Sequence, residues 1–97
     1  MSNRFRKRPV VIEAMRLSAY TQGLPNGDVW QWMRDGGATF VMDQMDPGPA
    51  FMRIDTLEGE MTAQIGDWII KGVQGEFYPV KDSIFRETYV EVDDAAR

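Results

Sequence analysis

The sequence predicts an α+β fold that is mostly antiparallel β: a small curled sheet or partly open barrel, with one short helix at about residues 28–35 and a helical turn at about residues 82–88. Three observations predict it. Apolar and polar residues alternate over short stretches, most cleanly where Met61, Ala63 and Ile65 oppose Glu60, Thr62 and Gln64. Glycine or proline interrupts the chain at short intervals. Most connections are too short for a parallel crossover, which needs a dozen or more residues; only the first two strands, around the helix, could pair in parallel.

Residues 9–17 read as the first strand, with Val10, Val11 and Ile12 in succession and Pro9 where no ladder donor is needed. Residues 18–27 form a turn-rich connection. Asp28 is placed to cap a helix, with Gln31 three residues on, and Val29, Trp32 and Met33 share one face. Gly36 and Gly37 end it, one of them as the left-handed cap. Residues 38–44 alternate, Phe40 and Met42 on one side and Thr39 and Asp43 on the other. Asp46-Pro47-Gly48-Pro49 then forbids regular pairing and reads as a flexible loop.

Residues 51–57 and 60–65 flank Glu58-Gly59 as a hairpin, with a type I turn and a left-handed Gly59 in a bulge. Residues 67–71 and 76–80 flank Gly72-Val73-Gln74-Gly75 as a second hairpin. Residues 81–87 suit one or two helical turns capped by Asp82 or Ser83, which would place Ile84 and Phe85 on the sheet. Residues 88–92 read as a closing strand, the seventh.

At 97 residues and 43% apolar composition, the chain suits a single domain over residues 1–97, with a basic arm at 1–8 and a frayed tail at 93–97. It contains no cysteine and no histidine, which excludes disulfides, thiolate zinc sites, a cysteine nucleophile and the commonest general base. No continuous apolar run is long enough for a transmembrane helix or a secretory signal, so the expectation is a soluble cytosolic protein with no membrane partner. The net charge is −4, yet Arg4, Arg6, Lys7 and Arg8 cluster at the start, so the body is more acidic still. An acidic body repels nucleic acid at long range, leaving that arm as the phosphate-binding candidate.

Several motifs could carry chemistry, and each has a plainer reading. Gly72-Val73-Gln74-Gly75 beside Lys71 matches the Gly-x-x-Gly of KH domains, but strand-like sequence on both sides favours a hairpin loop. Asp55, Glu58 and Glu60 could hold a divalent ion, although carboxylates at a hairpin tip are usually solvated. Trp30 beside Arg34 could stack on a base or anchor a partner, or pack with Met33. Met42, Met45 and Met52 surround the 46–49 loop and suit adaptable recognition as well as an ordinary core. Asp67 and Glu76 sit among strand pairs, where structural pairing to Lys71 or Lys81 is the favoured reading.

The stretch Gly66-Asp67-Trp68-Ile69-Ile70-Lys71-Gly72-Val73-Gln74-Gly75-Glu76-Phe77-Tyr78-Pro79-Val80, with Asp82-Ser83-Ile84-Phe85 and Thr88-Tyr89 after it, resembles a family of small proteins encoded by tailed bacteriophages and prophages. The opening Phe5-Arg6-Lys7-Arg8-Pro9-Val10-Val11-Ile12-Glu13-Ala14 resembles the same family, as does the Thr-Leu-Glu-Gly at 56–59. The resemblance covers roughly half the chain and implies a phage origin more than an activity. It leaves residues 18–52 as the variable part.

These observations point to a phage accessory protein for host takeover or anti-defence. It would act without catalysis in the host cytoplasm, by binding and sequestering a host or defence-system protein or a small signalling nucleotide. Trp30, Arg34, Met45, Arg53 and Lys71 are the expected ligand- or partner-binding residues. The alternative is a nucleic-acid-binding accessory protein using Arg4, Phe5, Arg6, Lys7 and Arg8, with Phe5 stacking on a base. No cofactor, metal or catalytic residue is expected, a hydrolase built on Glu58 and Glu60 being the remaining enzymatic reading. A homo-oligomer pairing residues 38–44 across a two-fold axis, and a structural role in the virion, stay open.

Overall fold

A computed structural model describes residues 2–5, 10–17, 27–44 and 50–92. Met45, the 46–49 loop, Arg6 to Pro9, the 18–26 connection and the 93–97 tail lie outside the described residues. In chain order the elements are β1 (Glu13–Arg16), α1 (Gly27–Asp35), β2 (Phe40–Gln44), β3 (Ala50–Thr56), β4 (Gly59–Gln64), β5 (Trp68–Lys71), β6 (Phe77–Val80) and α2 (Asp82–Thr88). The fold is α+β and mostly β. Its strands form two separate three-stranded antiparallel sheets, ordered β1-β5-β6 and β2-β3-β4, so they do not close into a barrel.

The β2-β3-β4 sheet is a meander of consecutive strands. Its second turn works as the residues require: Leu57 and Glu58 make the turn, Gly59 has φ +109°, and the Thr56 hydroxyl donates to the Gly59 carbonyl at 2.6 Å. A left-handed residue at that point costs glycine little and most other residues far more. Alternation sends Met52, Ile54 and Ala63 into the core, while Val41 and Thr62 face outward.

The β1-β5-β6 sheet joins opposite ends of the chain. Glu13 pairs with Lys71 and Arg16 with Trp68; on the far side of β5, Lys71 pairs with Phe77 and Trp68 with Val80. One face of this sheet carries Ile69 and Phe77 into the common core with Leu17, Val29, Met33, Met52, Ile54 and Ala63. Each large side chain among these stabilises the fold by about 1.5–3 kcal/mol relative to exposure. The helix α1 closes one side of that core through Val29 and Met33. It ends in a Schellman arrangement, with Gly37 at φ +84°, the Gly37 N–H donating to Arg34 O at 3.0 Å and the Ala38 N–H to Met33 O at 2.9 Å. Gly36 lets helix and sheet meet, because a β-carbon there would fall 2.5 Å from the Phe77 ring.

Asp67 ties the two sheets together. It is buried, and its Oδ2 accepts the Gln64 N–H at 2.9 Å at the end of β4 and the Lys81 ammonium at 3.2 Å. Its backbone carbonyl accepts the Leu17 N–H at 2.9 Å just after β1. The structural pairing expected of Asp67 is found, with Lys81 as its cation.

Several expectations are corrected. The first strand is shorter, since only residues 13–16 pair and 10–12 run unpaired ahead of them. It is antiparallel to β5 and does not pair with β2, so no parallel pair surrounds α1. Asp28 lies inside the first turn of α1, which begins at Gly27, and Gln31 instead donates to Asp35 at 2.8 Å. The cap of α2 is Lys81, without a side-chain hydrogen bond, because the Asp82 carboxylate is engaged elsewhere. Ile84 is exposed. Residues 89–92 pair with no strand among the described residues: α2 runs through Thr88, and Tyr89 is held by aromatic contacts that replace a ladder. No helix among the described residues is long and apolar enough to cross a membrane.

Candidate functional site

The outer face of the β1-β5-β6 sheet, turned away from the common core, follows from the strand register. Ala14, Ile70 and Tyr78 stand in one row across it, and Arg16, Trp68 and Val80 in the next. Ile70 is fully buried there, so something must cover it. The cover comes from α2 and the residue after it. Phe85 stacks on Trp68 with centroids 4.1 Å apart and planes at 9°, and Tyr89 stacks on Phe85 at 5.0 Å and 27°. The first turn of α2 pins this stack, because Asp82 accepts the Trp68 indole N–H at 2.9 Å and both of its oxygens accept Arg86 Nε at 3.0 Å. Those hydrogen bonds, from Trp68 and then Arg86, hold the Asp82 carboxyl below its ordinary value of 3.8.

Tyr89 also hydrogen-bonds Tyr78 on the sheet. Burial, then that hydrogen bond, then the nearby charges of Tyr89 and Glu76, push the Tyr78 hydroxyl from 10.0 up to about 12. It is therefore a neutral hydrogen-bonding group at physiological pH rather than a base.

On either side of Tyr89 the surface hollows. One hollow, of about 330 Å³, runs from Val11 and Glu13 to Val90, Glu91 and Val92 over Trp68 and Phe85. The other, of about 360 Å³, runs to Gly72, Val73 and Glu76 beside Tyr78. Val10 and Ile12 wall both. Together they make a groove with an aromatic floor and apolar walls, and among the described residues its rim carries the carboxylates Glu91 and Glu76. The walls face solvent: Val11 is 68% exposed and Val90 is 90% exposed. A third hollow, of about 340 Å³, lies between the hairpin tip at Leu57 and Met61 and the same Glu76 and Tyr78.

The residues expected to form a site do not meet in one place. Trp30 and Arg34 do come together, the Arg34 guanidinium lying 5.6 Å from the centre of the Trp30 ring. Trp30 is half-buried against the core and 6.3 Å from Phe40, and its indole N–H is buried with no hydrogen-bond partner among the described residues. Arg53 sits on β3 between the buried Met52 and Ile54, which directs it to the opposite face of that sheet. Lys71 belongs to the other sheet, 5.9 Å from the Phe77 ring centre. Arg4 and Phe5 are exposed. Met52 is a fully buried core residue and not part of a recognition edge.

The remaining motifs take their plainer readings. The 72–75 loop is a hairpin turn between β5 and β6, with Gly75 at φ +83° and Gly72 under the Glu76 carboxylate. Glu76 accepts the Gln74 N–H at 3.0 Å, bonding within its own loop rather than to a lysine. Asp55 and Glu60 face each other across β3 and β4, and among the described residues no three acidic groups converge as a metal site would require.

Sequence reasoning missed Tyr78, Tyr89, Val90 and Val92 as surface-forming residues. The segment reads as a closing strand, and β-favouring residues alone do not tell a paired strand from an extended segment laid across a sheet. In comparisons with known proteins, no family model, no curated protein and no solved structure matches this chain.

Proposed function

We propose that this chain acts by binding, without chemistry of its own, and that its groove captures an extended segment of a protein partner. The observation that carries this reading is the lining of the groove, where apolar walls surround an aromatic floor and the charges among the described residues are Glu91 and Glu76. Solvent-facing valines along a cleft are the usual mark of an interaction surface. A small signalling nucleotide brings phosphates that such a rim repels, so the protein partner is the better fit of the two sequestration readings. The tailed-phage resemblance supports a partner among host or defence-system proteins.

The test compares two forms of the tagged protein recovered from a bacterial host, each weighed by native mass spectrometry. One is the unaltered chain; the other carries Val11→Glu and Val90→Glu, both at exposed positions where folding should be unaffected. A second polypeptide held by the unaltered chain and absent from the variant is the expected outcome. A retained small molecule, or a polypeptide held equally by both forms, overturns the reading.

A further inference from the structure

We infer that the groove over Trp68, Phe85 and Tyr89 receives the basic arm of a second copy of this chain, two copies exchanging arms about a two-fold axis. This rests on the reading of the groove as a docking surface and names the occupant that a partner's segment would displace. Charge selects that occupant. Each hollow presents a carboxylate, Glu91 in one and Glu76 in the other, with no lysine or arginine lining them among the described residues. The chain itself carries four cations in five residues, Arg4, Arg6, Lys7 and Arg8, with Phe5 among them. Phe5 is 91% exposed, a large aromatic ring with no apolar surface against it. A segment of that pattern can set its ring between the valine walls while its cations meet the rim carboxylates. Hollows of 330 and 360 Å³ lie at the lower end of the volumes that hold organic groups, which suits one side chain apiece rather than a large ligand.

A second copy fits better than the arm's own body. Val10, which continues the arm, already walls both hollows. An arm that stays extended reaches about 17 Å over five residues, enough to enter a neighbouring groove. Since the body is acidic apart from the arm, two bodies repel unless each supplies its countercharge to the other. Exchange about a two-fold axis makes both contacts identical and closes the assembly at two copies.

Sedimentation velocity of the full chain tests this through a charge swap. The unaltered chain should reach twice the chain mass at micromolar concentration and dissociate as salt rises. Reversing the arm with Arg4→Glu and Arg6→Glu, or the groove with Glu76→Arg and Glu91→Arg, should each weaken self-association at least tenfold. Mixing the two reversed chains should restore a dimer, because each then offers what the other lacks. A monomer at every concentration, a dimer indifferent to both reversals, or a mixture that stays monomeric overturns the inference. A monomer whose arm retards single-stranded DNA in a steeply salt-dependent way also overturns it and assigns the arm to nucleic acid. A monomer that still captures a partner through Val11 and Val90 sinks arm exchange alone and leaves the binding function standing.

Discussion

The two sheets have three strands each and differ in where those strands come from. The strands of β2-β3-β4 follow one another in the chain, whereas β1-β5-β6 brings Glu13 beside Lys71 and Arg16 beside Trp68. The first kind of sheet is fixed by turns a few residues long. The second is fixed by what the two faces of the strands must bury, and in this molecule both of its faces are covered: the inner by the common core, the outer by Phe85 and Tyr89. Covering the outer face with a short helix and an extended segment, rather than another sheet, leaves gaps beside Tyr89, and those gaps are the groove. The long-range sheet thus carries the proposed recognition surface, and the local one chiefly supports it.

The largest expected contrast is between a residue that serves the shared core and one that does not. Ile69 is fully buried, between Met15 and Pro79 in register. Ile69→Ala should cost about 2–5 kcal/mol in denaturant unfolding, as large-to-small core changes do. Val41→Ala, on the outward face of β2 and half-exposed, should stay within about 0.5 kcal/mol. Comparable losses at the two positions would mean that the β2-β3-β4 sheet is covered on both faces as well.

Next comes the joint between the sheets. Asp67→Ala leaves the Gln64 N–H without its acceptor and Lys81 without its pair, and should cost about 1–3 kcal/mol. Glu60→Ala, at an exposed site on β4, should be near neutral by the same measurement. If Asp67→Ala proved as mild as Glu60→Ala, the joint would be held by the backbone bonds around Leu17 and Gly66 instead.

How much of this was legible follows the same divide. The two hairpins, the glycine end of α1 and the left-handed Gly59 could be read from local spacing, because each depends on residues within a few positions. The partner of β1 could not, since nothing within residues 9–17 points to residues 68–71. The helical turn at 82–88 was legible in position but not in detail: the free carboxylate of Asp82 suggested a cap, and its use by the Trp68 indole depends on a residue fourteen positions earlier. Residues 88–92 read as a strand, but in the fold Tyr89 stacks on Phe85 and bonds Tyr78 instead of joining a ladder. Of the site, only the pairing of Trp30 with Arg34 was legible, an i,i+4 relation within one helix. Arg53 and Lys71 were dispersed by sheet assembly.

Alkaline titration probes the outer cover more gently than substitution. With its hydroxyl raised to about 12 in the folded chain from an ordinary 10.0, Tyr78 keeps its proton longer folded than unfolded. Its contribution to stability is complete below pH 10, then declines as pH rises through 10 toward 12. Ultraviolet absorbance should show one tyrosine ionising near 12, and Tyr89→Phe, which removes the hydroxyl partner, should bring that step down. A step at the ordinary value in the unaltered chain would mean that Tyr89 does not close over the sheet.

The smallest expected effect lies at the other end of the pH scale and concerns the pin rather than the cover. The Asp82 carboxyl is held below 3.8 in the folded chain, first by the Trp68 indole and then by Arg86, so folding favours its charged form. The stability it contributes is present above 3.8 and fades as pH falls below that value through the lower folded one. Asp82→Asn separates the two parts of that pin, because an amide oxygen can still accept the Trp68 N–H while the charge facing Arg86 is lost. At neutral pH the Trp68–Phe85 stack should therefore persist in the variant, with its near-ultraviolet circular dichroism intact and only a slight fall in Tm. Between pH 4 and 2 the unaltered chain should lose stability more steeply than the variant, which has no carboxylate there to protonate. Equal acid slopes would show that α2 is held by the aromatic stack alone, and the groove above it would then owe its shape to Phe85 and Tyr89 with no electrostatic share.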